Sequence, residues 1–323
     1  MMKYRYMVLL VIAMIMLFST AYSEMSQEEF DQWYDQITYL VDEIGTRTVG
    51  TEEHDRAHEY LLAQFEKAGM ARDNKTLWES SSVAKGEEVF SIVGVKPALK
   101  EEPRLITVCA HYDSNAPGAR DNASGVATVL MLMRHFSELP AYSDTELRFI
   151  AFSAEETGHQ GSLSYVASLT EEEKQRSLAV FNIDILLVDV WDTEAAFSCD
   201  TLGGRIGSEY IEGTEEAPVS NAAVRAILKA MDDVGGFAPE DEGVSWCVPR
   251  HMGMSDHESF HLAGIDAVNL CFRGNVAQGG SWPASMHTAD DIMGDFDLGR
   301  SRQALEVLIT AVEGLAADHS YGS

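Results

Sequence analysis

Residues 105–110, LITVCA, are apolar or β-branched at almost every position, and no other stretch constrains the fold as strongly. A strand-length run without polar alternation has both faces covered. That is the situation of a strand inside a parallel sheet, whose neighbours are reached through helical crossovers. Where the run stops, polar groups arrive together: His111, Asp113 and, beyond a turn-rich loop with Asn115, Pro117 and Gly118, Asp121. Asn122-Ala123-Ser124-Gly125 and a helical pattern over 126–139 follow. In open α/β sheets ligands sit in the crevice beyond the carboxyl ends of the strands, so one His and two Asp there make half of a metal site. On this stretch alone, helix-capping Asp residues in a strand-end loop explain the pattern equally well.

The pattern recurs along the chain. The strand ELRFIAFS at 146–153 ends in Ala154-Glu155-Glu156-Thr157-Gly158, and a strand over 179–185 carries Asn182 and Asp184. A strand over 265–272 precedes a loop, 273–286, leading to His287. Helical stripes are expected at 26–44 (Phe30, Trp33, Ile37, Leu40, Val41, Ile44) and at 52–68, where Gly69 follows as a cap. Further helices are expected at 161–169, 218–234, 255–263 and 297–317. Strands and turns fill 70–103, residues 187–217 read as irregular, and 235–254 read as a Gly- and Pro-bearing loop. Strands alternating with helices over one continuous span mean a single α/β domain, residues 24–323, with a mixed, mainly parallel sheet.

Residues 1–23 read as a signal peptide: Lys3 and Arg5 form a positive start, 7–18 an apolar core, and Ala21-Tyr22-Ser23 a small-x-small cleavage site. The expectation is a secreted or periplasmic protein without stable membrane insertion after cleavage; the apolar core is short for a bilayer span. Without that segment 21 Lys+Arg face 52 Asp+Glu, a net charge of −31, which repels nucleic acid and anionic lipid. Cys109, Cys199, Cys247 and Cys271 lack any CxxC spacing, so no thiolate metal site is read. In an exported protein they allow one or two disulfides, with Cys109 inside its apolar strand the buried thiol of the set.

Liganding groups thus close several segments: His111 with Asp113 and Asp121, the Glu155-Glu156 pair, Asp184, and His287. A lone strand-end carboxylate is usually a cap, but several on one sheet edge would repel one another, and divalent metal removes that cost. Mixed imidazole and carboxylate donors suit zinc, with manganese or cobalt as other options. Of the adjacent glutamates one can bind metal while the other acts as a base; spacing alone does not choose which.

The motifs AHYDS (110–114), GARDNASGVA (118–127), FSAEETG (152–158), NID (182–184), SDHESF (255–260) and HTADD (287–291) together resemble the secreted di-zinc aminopeptidases, which share a fold with glutamate carboxypeptidases and glutaminyl cyclases. The resemblance runs from Arg47 to the final helix. It implies the zinc-exopeptidase fold, a three-layer sandwich with helices on both faces of the sheet. It also implies two zinc ions per chain: His111 and Asp184 on one, Glu156 and His287 on the other, Asp121 bridging. Glu155 would be the general base, and Asp113 would orient His111. In that family a water shared by the metals attacks the scissile carbonyl of peptides, releasing N-terminal residues. The alternatives are a cyclase-like acyl transfer using one zinc, a carboxypeptidase of the same fold, and a non-catalytic peptide-binding module. Asp256 and His257, in SDHESF, would border the substrate pocket.

Residues 257–261 also satisfy H-E-x-x-H, the zinc-protease helix signature, and Gly264 continues the longer pattern. The next ligand position holds Ala267, with Asp266 one residue off, and a Ser255/Glu258 capping box makes the helix short. Other candidates read as turn, packing or surface: the glycines of 202–207, Ser162 and Ser164 without a G-x-S-x-G setting, and His54, His58, His135, His159, His251, His261 and His319. Trp246, Met252 and Met254 line either an apolar pocket or only their own loop.

Overall fold

The computed structural model describes residues 25–73, 75–192, 195–201, 205–206, 209–210, 221–235, 249–251, 255–274 and 282–323. Helix α1 (Gln27–Thr38) is started by a capping box, Ser26 accepting from the Glu29 N–H while the Glu29 carboxylate accepts from Ser26, and it runs on as a π-helical turn over Tyr39–Ile44. Thr51 caps α2 (Glu52–Lys67), and Gly69 follows at φ 88°. Strands β1 (Leu77–Ala84) and β2 (Glu87–Lys96) form a hairpin, and β3 (Arg104–His111) carries the apolar run. Then come α3 (Ser124–Glu138), β4 (Thr145–Phe152), α4 (Gln160–Ser168), α5 (Glu171–Arg176) and β5 (Ser177–Ile183). Beyond them lie β6 (Ala196–Thr201), the small pair β7 (Arg205–Ile206) and β8 (Glu209–Tyr210), α6 (Ala222–Val234) and β9 (Pro249–His251). The chain closes with α7 (His257–Leu262), β10 (Ala267–Arg273) and α8 (Leu298–Ala317).

Eight strands form one sheet in the order β1-β2-β4-β3-β5-β10-β6-β9. The middle four, β4, β3, β5 and β10, are parallel; β1, β2 and β6 join antiparallel, and β9 pairs parallel with β6. Alternate side chains of the central strands enter different cores, as strand geometry requires. Ile106, Val108 and Ala110 of β3 and Leu147, Phe149 and Ala151 of β4 pack with α1, α2, α3, α6 and α8. Cys109, Ile150, Phe152 and Val180 pack with Tyr165 of α4 and Phe260 of α7. Both faces of β3 are therefore covered, the arrangement that its unbroken hydrophobicity demanded, and the sheet is the middle layer between two layers of helices.

Three expectations need correction. The span read as irregular contains β6, whose polar Ser198, Cys199 and Asp200 hid it, and α5 was not anticipated at all. The Ser255/Glu258 capping box does not form: α7 starts without a side-chain cap, and the Ser255 hydroxyl accepts instead from Asn182 Nδ2 at 2.8 Å. Residues 1–24, Cys247, and the loop residues Trp246, Met252 and Met254 lie outside the described residues, as do the side chains of Cys199 and His251. Cys109 is a buried thiol.

Candidate metal centre

The three parallel strands β3, β4 and β5 deliver their polar residues to the same sheet edge. His111 ends β3, Glu155 and Glu156 follow β4 in a tight turn, and Asp184 follows β5. Asp121 comes from the irregular turn before α3, where backbone and side chains close on one another. A Cβ on Gly125 would stand 2.1 Å from Asn122 Oδ1 and 2.5 Å from the Ile183 carbonyl, so only glycine fits the start of that helix. Three residues at this edge, Ala154, Ile185 and His287, adopt left-handed backbone at φ of 59–62°. Such strain in non-glycine residues concentrates at functional sites.

The predicted ligands converge. His111 Nε2 lies 3.3 Å from Asp121 Oδ1 and 3.8 Å from Asp184 Oδ1. On the other side, His287 Nε2 lies 3.0 Å from Asp121 Oδ2 and 3.1 Å from Glu156 Oε2. Donor atoms of His111, Asp121 and Asp184, and of Asp121, Glu156 and His287, fall within 4.8 Å of one another, so two three-residue groups share one carboxylate. Among the described residues Asp184 Oδ1 and Glu156 Oε1 are buried without a hydrogen-bond partner, an unstable condition for carboxylate oxygens unless a cation takes them up. The donor set and its spare oxygens fit two divalent ions.

The electrostatics point the same way. Burial opposes charge on His111, yet Glu155, Asp121 and Asp184 outweigh it and push the imidazole well above its ordinary range. The hydrogen bond to Asp121 and the charge of Glu156 bring His287 up to about 9. Asp121, buried between the two imidazoles, is held well below the usual carboxylate range. Burial, then Asp121, raises Glu156 to about 7. Glu155 is also raised well above normal, by burial first and then by Asp184, Asp121 and Asp113, with His111 opposing. Protons thus stand where cations would relieve the same repulsion.

Asp113 works differently from the simple expectation. His111 Nδ1 is 3.0 Å from the Asp113 carbonyl, while its carboxylate is 3.7 Å away and instead accepts from the backbone N–H groups of Glu155 and Glu156 at 3.1 and 3.2 Å. It ties the turn after β4 to the loop after β3. Asp256 and His257 are fully buried at the start of α7; their neighbour Glu258 is the one that lines the cavity. Among the described residues the two three-residue groups contain neither His257 nor His261 of the H-E-x-x-H pattern.

Sequence reasoning passed over several contributors. Asn115 donates to Glu156 Oε2 at 2.7 Å, and Asp291 accepts from the backbone N–H of Arg120 and Asp121 at 3.0 and 3.1 Å. His159, read above as packing, lines the cavity. Asn115 was noted only as a turn residue, and Asp291 stood unexamined within HTADD. Nothing in the sequence marked His159, whose place depends on the turn that holds it.

A family model described as peptidase family M28 matches residues 92–312, more than half the chain and a span holding the entire candidate ligand set. The chain belongs to peptidase family M28. This M28 chain is 33% identical over 226 residues to aminopeptidase YwaD of Bacillus subtilis, covering 69% of itself and 44% of that protein. It therefore spans less than half the length of that relative. Its fold superposes on a zinc aminopeptidase from Bacillus subtilis with a TM-score of 0.70 at 20% identity, covering 90% and 97% of the two chains. A glutaminyl cyclase from Bacteroides thetaiotaomicron matches at a TM-score of 0.65 and 18% identity, covering 88% and 97%. The M28 chain thus has the α/β fold of these proteins.

Proposed function

We propose that the protein is a zinc-dependent aminopeptidase holding two zinc ions, one between His111 and Asp184 and one between Glu156 and His287, with Asp121 shared. The observation that carries this reading is Asp121, whose two carboxylate oxygens face two different histidines. When bound, the ions would supply Lewis acidity toward the peptide carbonyl and lower the pKa of water.

The remaining chemistry belongs to the chain. Glu155 lines the same cavity without belonging to either three-residue group, so its oxygens are available to take a proton from water and pass it to the leaving amine. Burial and surrounding carboxylates raise its proton affinity, which suits a base that must also act as an acid. Asp113 holds the Glu155 and Glu156 backbones in place, and His111 is oriented through the Asp113 carbonyl. The cavity, about 300 Å³, has Trp282 and Met286 as its apolar wall for the substrate's first side chain. Trp282 also borders an adjoining cavity of about 700 Å³ with Trp191, Phe272 and Arg120, room for the rest of a peptide.

Aminoacyl anilides assayed with and without a chelator test the reading, together with metal analysis and N-acylated controls. The expected result is about two zinc per chain, chelator-sensitive release of anilide, and resistance of N-blocked substrates. Pyroglutamate formation with one zinc per chain would assign the protein to cyclase chemistry instead. The Glu155→Gln variant should keep its zinc and lose turnover. The same reading makes residues 24–323 one exported domain released from its 1–23 leader, which N-terminal sequencing of secreted material would check. Among the described residues no helix is long and apolar enough to cross a membrane.

A further inference from the structure

Besides the candidate ligands and Glu155, two ionisable side chains among the described residues line the cavity: His159 and Glu258. They arrive from different elements, His159 from the turn that starts α4 and Glu258 from α7. His159 Nε2 lies 3.5 Å from Glu155 Oε1, and its Nδ1 lies 3.6 Å from Glu258 Oε2. One imidazole thus spans the gap between two carboxylates, one of them the base assigned above.

A second, independent observation concerns the backbone. His159 sits at φ 58° and ψ 31°, the left-handed region that glycine and asparagine occupy with least strain. Its side chain makes no capping bond to α4. The turn closes without it, because the N–H groups of Gly158 and His159 both donate to the Glu155 carbonyl at 2.8 Å. The local fold therefore has no use for an imidazole at this position, and a smaller residue would relieve the backbone. A strained, non-capping histidine whose ring reaches into the cavity is explained by what the ring does there.

We propose that His159 is a positioning residue: its ring, braced by Glu258, holds the Glu155 carboxylate aimed at the two ligand groups. Glu155 needs such a hold because it lies among Asp121, Asp184 and Asp113, whose charges drive its carboxylate away. Glu258 does for the ring what an outer carboxylate does for any oriented histidine, fixing its plane from the far nitrogen. The inference rests on the assignment of Glu155 as the base.

The test uses zinc-loaded full-length protein and compares His159→Asn, His159→Gly, Glu258→Gln and the double variant His159→Asn/Glu258→Gln. Positioning predicts that both His159 variants lose about tenfold or more in kcat, with KM and zinc content unchanged. Their melting temperature should hold or rise, since Asn and Gly suit the left-handed turn. Glu258→Gln should lower kcat less, and the double variant should be no slower than His159→Asn alone. Wild-type kcat in His159→Asn overturns the proposal, as does a loss expressed only in KM or accompanied by loss of zinc. Glu155→Gln separates the two levels. If it abolishes turnover while His159→Asn does not, only the positioning role fails; if it stays active, the assignment of the base fails and the positioning role with it.

Discussion

The guanidinium of Arg47 is fully buried and donates to the backbone carbonyls of Tyr112, Gly45 and Pro117 at 2.7 to 2.9 Å, and to those of Leu40 and Gly118 at 3.2 to 3.3 Å. Burial lowers its pKa to about 10 against the pull of Asp113, Asp291 and Asp121, so it stays charged at neutral pH. It fastens the loop between His111 and Asp121 without entering the cavity. Arg47→Met strands those carbonyls and should cost about 3 kcal/mol or more, seen by calorimetry, with weakened zinc retention. Arg47→Lys should recover only part of it, having one point charge in place of a fork. Gly125→Ala forces its new methyl into Asn122 and the Ile183 carbonyl and should also displace Asp121; circular dichroism melting and zinc titration would show both losses. The candidate ligands were legible as a set, because several His, Asp and Glu closing successive strands would repel without a cation, whereas a lone one is usually a cap. Arg47, Asp291 and His159 were not, since their partners are backbone atoms or turns that only folding brings near.

Elements were legible where hydrophobic period and caps agreed. The stripe of α1 and the continuous run of β3 both stand where the pattern put them. β6 escaped because Ser198, Asp200 and Thr201 make half of the short A-F-S-C-D-T stretch polar, and it joins the sheet through its partner β10. The same lesson applies to α7, where a capping signature lost Ser255 to a buried asparagine from β5. Removing the α1 cap with Ser26→Ala should cost about 1 kcal/mol, measurable by denaturant melts. Glu29 adds a pH dependence. Burial raises its pKa, but the Ser26 bonds and His135, 2.7 Å away on α3, win and lower it below 4.5. A depressed carboxyl contributes stability that is present above its unfolded pKa and fades as pH falls through the folded one. Glu29→Gln should therefore narrow the stability gap between neutral pH and pH 4, and melts at both values would check it.

Over the whole molecule, the central parallel strands and the β1–β2 edge were written in the sequence, while the β6–β9 edge was not, because β9 and β6 are ordered by neighbours rather than by their own pattern. Zinc should stabilise the entire fold by about 2.7 kcal/mol at a hundredfold excess over Kd, raising the melting temperature, and a chelator should reverse the rise in scanning calorimetry. Buried Asp121, Asp184 and Glu155 crowd one sheet edge, and bound cations would relieve the repulsion among them. The five candidate ligands are scattered from His111 to His287, at the end of β3 or on segments that follow β3, β4, β5 and β10. A polypeptide still being synthesised lacks the last of them until residue 287 has been added. The second three-residue group can therefore close only after every strand of the sheet has been made.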